Sequence, residues 1–210
     1  MKTFDQDLPI VLIVNGGSSS IKFAVFTSSS NAKRLVNGQV ERVGLPDSRL
    51  IIKDCDSAQD AEIFPVAGRS YDDAIKSLLG FLKGRFGTSS FAGIGHRIVH
   101  GGAKLVAHQT VTPNLVAELK RIQSLDMAHL PSEIALIESL QQAYSATPHV
   151  ACVDTTFHRT MPRVAQLLPI PRHYLDAGVR RFGFHGLSFA YLMNQLAVLA
   201  GPQEIGRAHV

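Results

Sequence analysis

Cysteine is scarce in this chain, and the two that occur form no pattern. Cys55 and Cys152 are the only cysteines in 210 residues, and their separation matches neither a metal site nor a disulfide framework. The histidines lack the HExxH spacing of a zinc site. No apolar run is long enough to cross a bilayer, and the start, MKTFDQDLPI, lacks the pattern of a signal peptide. We therefore expect a reduced, cytoplasmic protein without a membrane partner.

Charged residues are also few, and they are scattered. They make up 18% of the chain, against 45% hydrophobic residues, which is typical of a soluble globular protein. The formal net charge is +4, but the Lys and Arg residues form no stripe with interleaved aromatic residues. This distribution argues against a nucleic-acid partner. A mildly basic chain can still attract small anionic substrates into a cleft.

The first part of the chain has the alternating pattern of strands. The runs IVLIVN and IKFAVF flank the loop NGGSSSIK and predict a hairpin, and LVNGQVERVG and RLIIKD predict further strands. From Tyr71 the pattern changes to a helical period. The apolar face of this predicted helix comprises Ile75, Leu78, Leu79, Leu82 and Phe86.

Helices alternate with strands further along. Thr112 is the predicted N-cap of one helix, with Pro113 at its first position, and another helix begins near Pro131. The run HVACVD predicts a buried strand that ends at Asp154. The last helix, Leu187–Leu199, is apolar nearly all round, so we expect it to be buried. This order predicts an α/β fold, in which ligands gather at the carboxyl ends of strands.

The loop NGGSSSIK is the first candidate for a ligand site. It is not a Walker A loop, because the GxxxxGK[ST] spacing is missing and a strand follows it. Its backbone N–H groups and its serine hydroxyls can bind phosphate oxygens, with Lys22 as a cation. A flexible hairpin turn explains the same composition equally well, so the loop alone leaves both interpretations open.

Four stretches taken together are far more specific. VNGGSSSIKF, GHRIVHGG, VDTTFHRTMP and RRFGFHGLS occur in the order and approximate spacing of acetate kinases, which transfer phosphate between ATP and short-chain carboxylates. The resemblance implies the actin-like superfamily, with two ribonuclease-H-like lobes that bind ATP and Mg²⁺, or Mn²⁺, between them. It also implies acetate or propionate as substrate and a homodimer for the complete protein.

The resemblance covers only part of such a protein. Residues 1–155 correspond to the first ribonuclease-H-like lobe, and 156–210 to the opening of a truncated second lobe. The last six residues, IGRAHV, are also what a common sequencing-adapter string encodes. One hypothesis is that 205–210 are non-native for this reason; the alternative is the natural start of a strand.

The resemblance implies a role for several individual residues. Arg97, in GHRIVHGG, would bind the substrate carboxylate through its planar fork, and Val99 would line the pocket for the acyl chain. Asp154 would act chiefly in positioning the metal, with general-base action less favoured; a helix-cap or turn role is the alternative. Asn15 matches the family's metal-associated asparagine. His185 would donate to the transferred phosphoryl oxygens.

The same resemblance assigns phosphate binding to Ser18, Ser20 and Lys22. It does not decide the role of His129. The family's Pro-Leu-His-Asn-Pro stretch reads MAHLP here, so His129 and Pro131 are kept. For His129, catalysis and a structural role before the following helix are both retained. Ala128 stands where the family has a leucine. The smaller side chain leaves more space near the expected acyl pocket, which favours propionate as a substrate.

Three functions therefore remain open at the level of sequence. The first is a carboxylate kinase, of which this chain is an amino-terminal part that we expect to be inactive alone. The second is a catalytically dead module that binds phosphate. The third is a kinase of the same superfamily with a hydroxyl acceptor, which would need Asp154 as a base.

Overall fold

The computed structural model describes residues 9–57, 59–87 and 91–201. The strands are β1 (Ile10–Gly16), β2 (Ser20–Thr27), β3 (Arg34–Glu41), β4 (Arg49–Asp54), β5 (Glu62–Pro65), β6 (Phe91–Ile98), β7 (Gln109–Thr110) and β8 (His149–Val153). The helices are α1 (Tyr71–Phe86), α2 (Pro113–Ile122), α3 (Leu130–Ala143), α4 (Arg163–Gln166), α5 (Arg172–Asp176) and α6 (Gly186–Ala200). The hypothesis about residues 205–210 lies outside the described residues.

One mixed sheet organises the described chain. Its strand order is β5-β4-β3-β2-β1-β6-β8-β7. Strand β1 pairs antiparallel with β2, which confirms the predicted hairpin, and parallel with β6. Helices flank this sheet, so the predicted α/β fold with a mixed sheet is confirmed.

The two faces of the sheet differ in burial. Alternate residues of β1 and β2, such as Leu12, Val14 and Phe23, are buried in the core with α1 and α3. Because successive side chains of a strand point to opposite faces, the residues between them lie on the other face. Several of these are exposed, including Lys22 and Ile13. The more accessible face of the sheet is therefore the one that carries polar groups.

Local signals define the helix starts. The Thr112 side chain accepts a hydrogen bond of 3.2 Å from the Leu115 backbone N–H, which confirms it as the N-cap of α2. Helix α1 starts with a capping box, in which Ser70 and Asp73 each bind the other's backbone N–H. The sequence pattern Ser-x-x-Asp, from Ser70 to Asp73, is the local signal for this helix start.

The chain packs as two compact units. The first comprises the residues up to Ile98 together with Gln109–Cys152, and the second comprises Val99–His108 with the residues from Val153 onward. The predicted lobe boundary at residue 155 stays a prediction. In the described part of both units, no helix is long and apolar enough to cross a membrane.

The expectation that the last helix is buried is wrong. In α6 only Gly186 is buried, whereas Val198 and Leu199 are 80% and 81% exposed. Within its own unit, α6 packs against a short 3-10 helix, Asp154–His158, through its first turns. Apolar periodicity shows that a helix needs a partner, but it does not show that the described chain supplies one.

This exposed apolar surface leads us to expect self-association. Replacing Leu192, Leu196 and Leu199 with Gln keeps good helix formers but removes apolar area, so the apparent dissociation constant should rise by at least about tenfold. Sedimentation velocity over a range of concentrations measures this change. Val164→Gln, which alters a side chain 77% exposed outside α6, is the control and should have little effect. A wild-type chain that stays monomeric at all concentrations would contradict the expectation.

Two buried histidines form a hydrogen-bonded pair in the first unit. His96 Nε2 lies 2.9 Å from His149 Nδ1, and His149 Nε2 lies 3.2 Å from the Tyr144 carbonyl oxygen. Because a carbonyl only accepts, His149 carries its proton on Nε2 and accepts from His96 through Nδ1. His96 Nδ1 is then unprotonated, and it has no partner among the described residues. Burial, and to a lesser extent His149, lowers the pKa of His96 to about 3.

The pair should make stability depend on pH. A folded-state pKa of about 3 lies below the ordinary value, so the unfolded chain binds more protons at intermediate pH. The contribution of His96 to the free energy of unfolding is therefore fully present near pH 7. It is lost as the pH falls through 6.5, by on the order of 2 kcal/mol at pH 5. Urea unfolding followed by far-UV circular dichroism at pH 7, 6 and 5 measures this loss.

A matched pair of variants tests the assignment to His96. In His96→Gln the amide can still donate to His149 but does not titrate, so most of the pH dependence should disappear. His173→Gln removes an exposed histidine and should retain it. Equal slopes in His96→Gln and the wild-type chain would show that other groups cause the effect.

Candidate functional site

The loop between β1 and β2 is shorter than its sequence suggests. Strand β1 continues through Gly16 and β2 begins at Ser20, so Lys22 lies inside a strand rather than in the turn. The Gly17 N–H donates to the Ser20 carbonyl oxygen at 2.9 Å, and Ser18 is exposed at the tip. A Cβ on Gly16 would lie 2.8 Å from the Tyr71 hydroxyl. A larger residue at this position would therefore require the ends of the Tyr71 and Leu136 side chains to shift.

Arg97, Asn15 and Lys22 form a row across three neighbouring strands. Asn15 pairs directly with Lys22, and the β1–β6 register, in which Val14 pairs with His96, brings Arg97 beside Asn15. Arg97 Nη1 donates to Asn15 Oδ1 at 3.2 Å. Within the described ranges, Lys22 is exposed and has no ion pair. Two cations thus flank one amide at the carboxyl ends of β1 and β6.

A depression of about 510 Å³ lies on this face of the sheet. Asn15 and Lys22 line it, together with two further cations, Arg34 and Lys53, and no Asp or Glu side chain in the described residues lines it. The unbalanced positive charge favours an anionic ligand. The phosphate-binding interpretation of NGGSSSIK is therefore supported by neighbouring strands that the loop sequence does not include.

His129 lies at the N-cap position of α3. Its Nδ1 lies 2.9 Å from Asp126 Oδ1, and its backbone carbonyl accepts from the Glu133 N–H at 3.0 Å. The carboxylate holds the proton on Nδ1, which leaves Nε2 for a ligand. The Ser132 hydroxyl lies 2.8 Å from the His129 carbonyl oxygen and 3.3 Å from that of Gly16. This position agrees with the structural role before the helix, and the catalytic role of His129 stays a prediction.

Three other predicted site residues belong to the second unit. Val99 is buried directly after β6, and Asp154 is 1% exposed directly after β8. Asp154 Oδ1 accepts a hydrogen bond of 3.2 Å from the Leu187 N–H, in the first turn of α6. This contact supports the helix-cap alternative for Asp154, because a carboxylate is stabilised at a helix N-terminus. Its role with a metal stays a prediction.

His185, the third of these residues, has an unusual backbone conformation. It precedes α6 with φ 59° and ψ 26°, in the left-handed region, and its side chain is exposed. A non-glycine residue in this region costs about 1 kcal/mol or more and occurs often at functional sites. The conformation presents the imidazole to solvent at the start of the helix, where a ligand could reach it.

Three residues without a role in the sequence-based predictions position the predicted site residues. His158 Nε2 lies 3.0 Å from the Phe184 carbonyl oxygen and so fixes the turn before His185. Asp126 orients His129, and Ser132 joins α3 to β1. Of these three contacts, only the one between Asp126 and His129 could have been predicted from the sequence, because the two residues are three positions apart. The other two contacts depend on tertiary packing.

The available donors suit a hard cation that is held mainly by a nucleotide. Asn15 in the first unit and Asp154 in the second each carry an oxygen of the type that Mg²⁺ prefers, whereas no group of three His, Cys, Asp or Glu side chains in the described residues could form a cage. Mg²⁺ usually keeps several waters and binds one or two protein oxygens together with substrate phosphates. Each of these two oxygen donors, taken separately within its own unit, therefore suits a divalent cation that is held mainly by substrate phosphates.

Comparison with known proteins shows the family of this chain. Residues 10–205 match the model of the Acetokinase family. An acetate kinase of Rhodopseudomonas palustris is 36% identical over 196 residues, which cover 91% of this chain and 49% of the relative. The chain thus spans about half the length of the curated relatives it matches.

Solved structures give the same result. A propionate kinase from Francisella tularensis has a TM-score of 0.82 and 29% identity, covering 92% of this chain and 49% of its own. An acetate kinase from Porphyromonas gingivalis has a TM-score of 0.80 and 28% identity, with 92% and 49% covered. Sequence and structure together show that the chain belongs to the acetokinase family.

Proposed function

We propose that this chain supplies one part of a site that transfers a phosphoryl group between ATP and acetate or propionate. The observation that carries the proposal is the row of Arg97, Asn15 and Lys22 across β6, β1 and β2. Relatives with an acetate kinase or a propionate kinase name support these two substrates. In this proposal Arg97 binds the carboxylate and Lys22 binds phosphate.

The acceptor determines what catalysis requires. A carboxylate is already ionised at neutral pH, so it can attack the γ-phosphorus without a base. The main barrier is repulsion between two anions, and the protein lowers it by neutralising charge and aligning the reactants. Arg97 binds the carboxylate in bidentate fashion and Val99 contacts the acyl chain. The bond from Arg97 to Asn15 keeps the guanidinium in place.

The hairpin supplies the phosphate contacts. The hydroxyl groups of Ser18 and Ser20 donate hydrogen bonds to phosphate oxygens. Lys22, on the exposed face of β2, compensates the negative charge of the phosphate. Bound Mg²⁺ or Mn²⁺ would neutralise further phosphate charge. Asn15 is the candidate oxygen ligand in the first unit, and the motif resemblance makes Asp154 the candidate in the second. His185 donates a hydrogen bond to the transferred phosphoryl oxygens, and His129 is a further candidate for a catalytic role. The complete protein acts as a homodimer.

The test measures acyl phosphate formation by hydroxylamine trapping, with ATP, Mg²⁺ and either acetate or propionate. Two chains are compared: these 210 residues, and an extended chain in which they are joined to the carboxyl-terminal half of the Rhodopseudomonas relative. We expect turnover only from the extended chain, because the relatives are about twice as long as this one. The trapped product should disappear when Mg²⁺ is chelated.

Each other outcome has a distinct meaning. Saturable ATP binding by the extended chain without acyl phosphate would indicate a binding module instead of an enzyme. ADP release that depends on glycerol but not on acetate would indicate a hydroxyl acceptor. Either result would refute the proposed carboxylate kinase.

A further inference from the structure

A second depression, of about 150 Å³, lies entirely within the second unit. Arg159, Arg180 and Arg181 line it, together with His158, Gln166 and Thr155. A water molecule occupies about 30 Å³ of the liquid, so the space holds one small tetrahedral oxyanion and little more. The three arginines have no role in the proposed phosphoryl transfer.

The charge around this depression is unbalanced. In the described residues of the second unit, the cations are Lys104, Arg159, Arg163, Arg172, Arg180 and Arg181. Over the same residues the carboxylates are Asp154 and Asp176. Neither of them lines the depression, and Asp154 is buried and bonded to Leu187. A positive potential of this kind concentrates anions.

Arg180 is held in place before any ligand binds. Its guanidinium lies 4.7 Å from the centre of the Phe182 ring, and Nη1 donates to Gln166 Oε1 at 3.3 Å. Gln166 is fixed in turn, since its Nε2 donates to the Met161 carbonyl at 2.6 Å and its own carbonyl accepts from the Arg181 N–H at 2.9 Å. A guanidinium has five N–H groups, so most of those of Arg180 remain for a ligand.

Arg159 and Arg181 complete the lining. Both are exposed, and neither has a carboxylate partner in the described part of the chain. Exposed arginines usually gain little from a single anion, but several guanidinium groups that converge on one oxyanion share it in charge-assisted bonds. Arg180 is held in place and Arg159 and Arg181 are exposed. This combination suits an anionic ligand that binds from solution.

We propose that Arg159, Arg180 and Arg181 form a second anion site, which binds inorganic phosphate or the terminal phosphate of a small metabolite. Phosphate fits better than a carboxylate, because it carries more charge and offers oxygens in three dimensions to three guanidinium groups. The site lies within one unit of this chain, so its occupancy does not depend on the proposed kinase function.

Titration of the 210-residue chain with inorganic phosphate tests the proposal, with chloride added to keep ionic strength constant. Two-dimensional ¹H–¹⁵N NMR should show saturable shifts at the amides of Thr155 and Gly183, which line the depression. Acetate over the same range should shift them much less. Equal shifts with acetate, or shifts that do not saturate, would overturn the proposal.

Charge-matched variants separate the site from general electrostatic attraction. Arg180→Gln with Arg181→Gln should raise the apparent dissociation constant by at least about tenfold. Arg163→Gln with Arg172→Gln removes the same charge from the same unit outside the depression. This pair should leave the apparent dissociation constant for phosphate within about twofold of the wild-type value. Equal weakening in both pairs would refute a specific site.

Two further variants keep the test decisive. Arg159→Gln alters only an exposed side chain, so the fold should survive; it should still weaken phosphate binding severalfold, and unchanged binding would count against the site. Lys22→Ala alters the proposed kinase site but should leave the shifts at Thr155 and Gly183 intact. Loss of those shifts in Lys22→Ala would mean that phosphate binds through the kinase residues instead.

Discussion

Arg97→Lys should reduce kcat/KM for acetate by at least about 100-fold in the extended chain that carries the relative's carboxyl-terminal half. Lysine keeps the positive charge but loses the planar fork that holds both oxygens of a carboxylate. It also loses the bond from Nη1 to Asn15 Oδ1, which fixes the guanidinium beside β1. The acceptor would then be attracted to the site but not aligned for in-line attack, and alignment contributes much of the rate.

The measurement is the rate of acyl phosphate trapping against acetate concentration. Arg49→Lys is the matched control, because Arg49 is also a strand arginine, and it makes an exposed ion pair with Glu41 at 2.6 Å. Such pairs contribute at most about 1 kcal/mol, so the control should retain kcat/KM within about twofold. Near-normal kinetics in Arg97→Lys would remove Arg97 from the site.

The parts of the fold that sequence predicted are those that local signals determine. The hairpin followed from two alternating runs around a glycine and serine turn, and α1 followed from apolar residues at a helical period. Thr112 with Pro113 marked the start of α2. Each signal lies within a few residues of the feature it defines, so no knowledge of tertiary packing was needed.

Long-range pairing was not available from sequence. His96 and His149 are 53 residues apart and form their bond only because β6 and β8 are neighbours in the sheet. The exposure of α6 was missed for a related reason, since apolar residues in a helix do not by themselves show what the helix packs against. The tautomers of the histidine pair likewise depend on the Tyr144 carbonyl.

The candidate site shows the same division. Motif resemblance supplied Arg97, Asn15 and Lys22 separately, and the sheet register supplied their common face. Resemblance could not indicate that the Asp154 carboxylate accepts the Leu187 N–H. That bond makes one residue relevant both to the start of α6 and to the proposed metal position, so Asp154 variants alone cannot separate the two roles.

Gly186→Ala should detach α6 from the rest of its unit. Gly186 is buried at the first position of the helix, and an added Cβ would overlap the Asp154 carbonyl oxygen and lie 2.5 Å from Phe157 Cβ. Both obstacles are close to the backbone of the short 3-10 helix, which cannot rotate away as a flexible side chain could. We expect a local cost of about 3 kcal/mol or more. Hydrogen exchange with mass spectrometry should show faster exchange in peptides from α6 and from Asp154–His158.

Gly80→Ala makes the same chemical change where there is room for it. Gly80 lies inside α1, and apart from the adjacent backbone of the helix itself no described atom lies within 4 Å of the position that its Cβ would occupy. Alanine there should stabilise the helix by about 0.5–1 kcal/mol, because glycine loses more backbone entropy on folding. The two substitutions should therefore have opposite signs. If Gly186→Ala left exchange in α6 unchanged, contact with Asp154 would not hold the helix, and the bond from Leu187 would not define the position of His185.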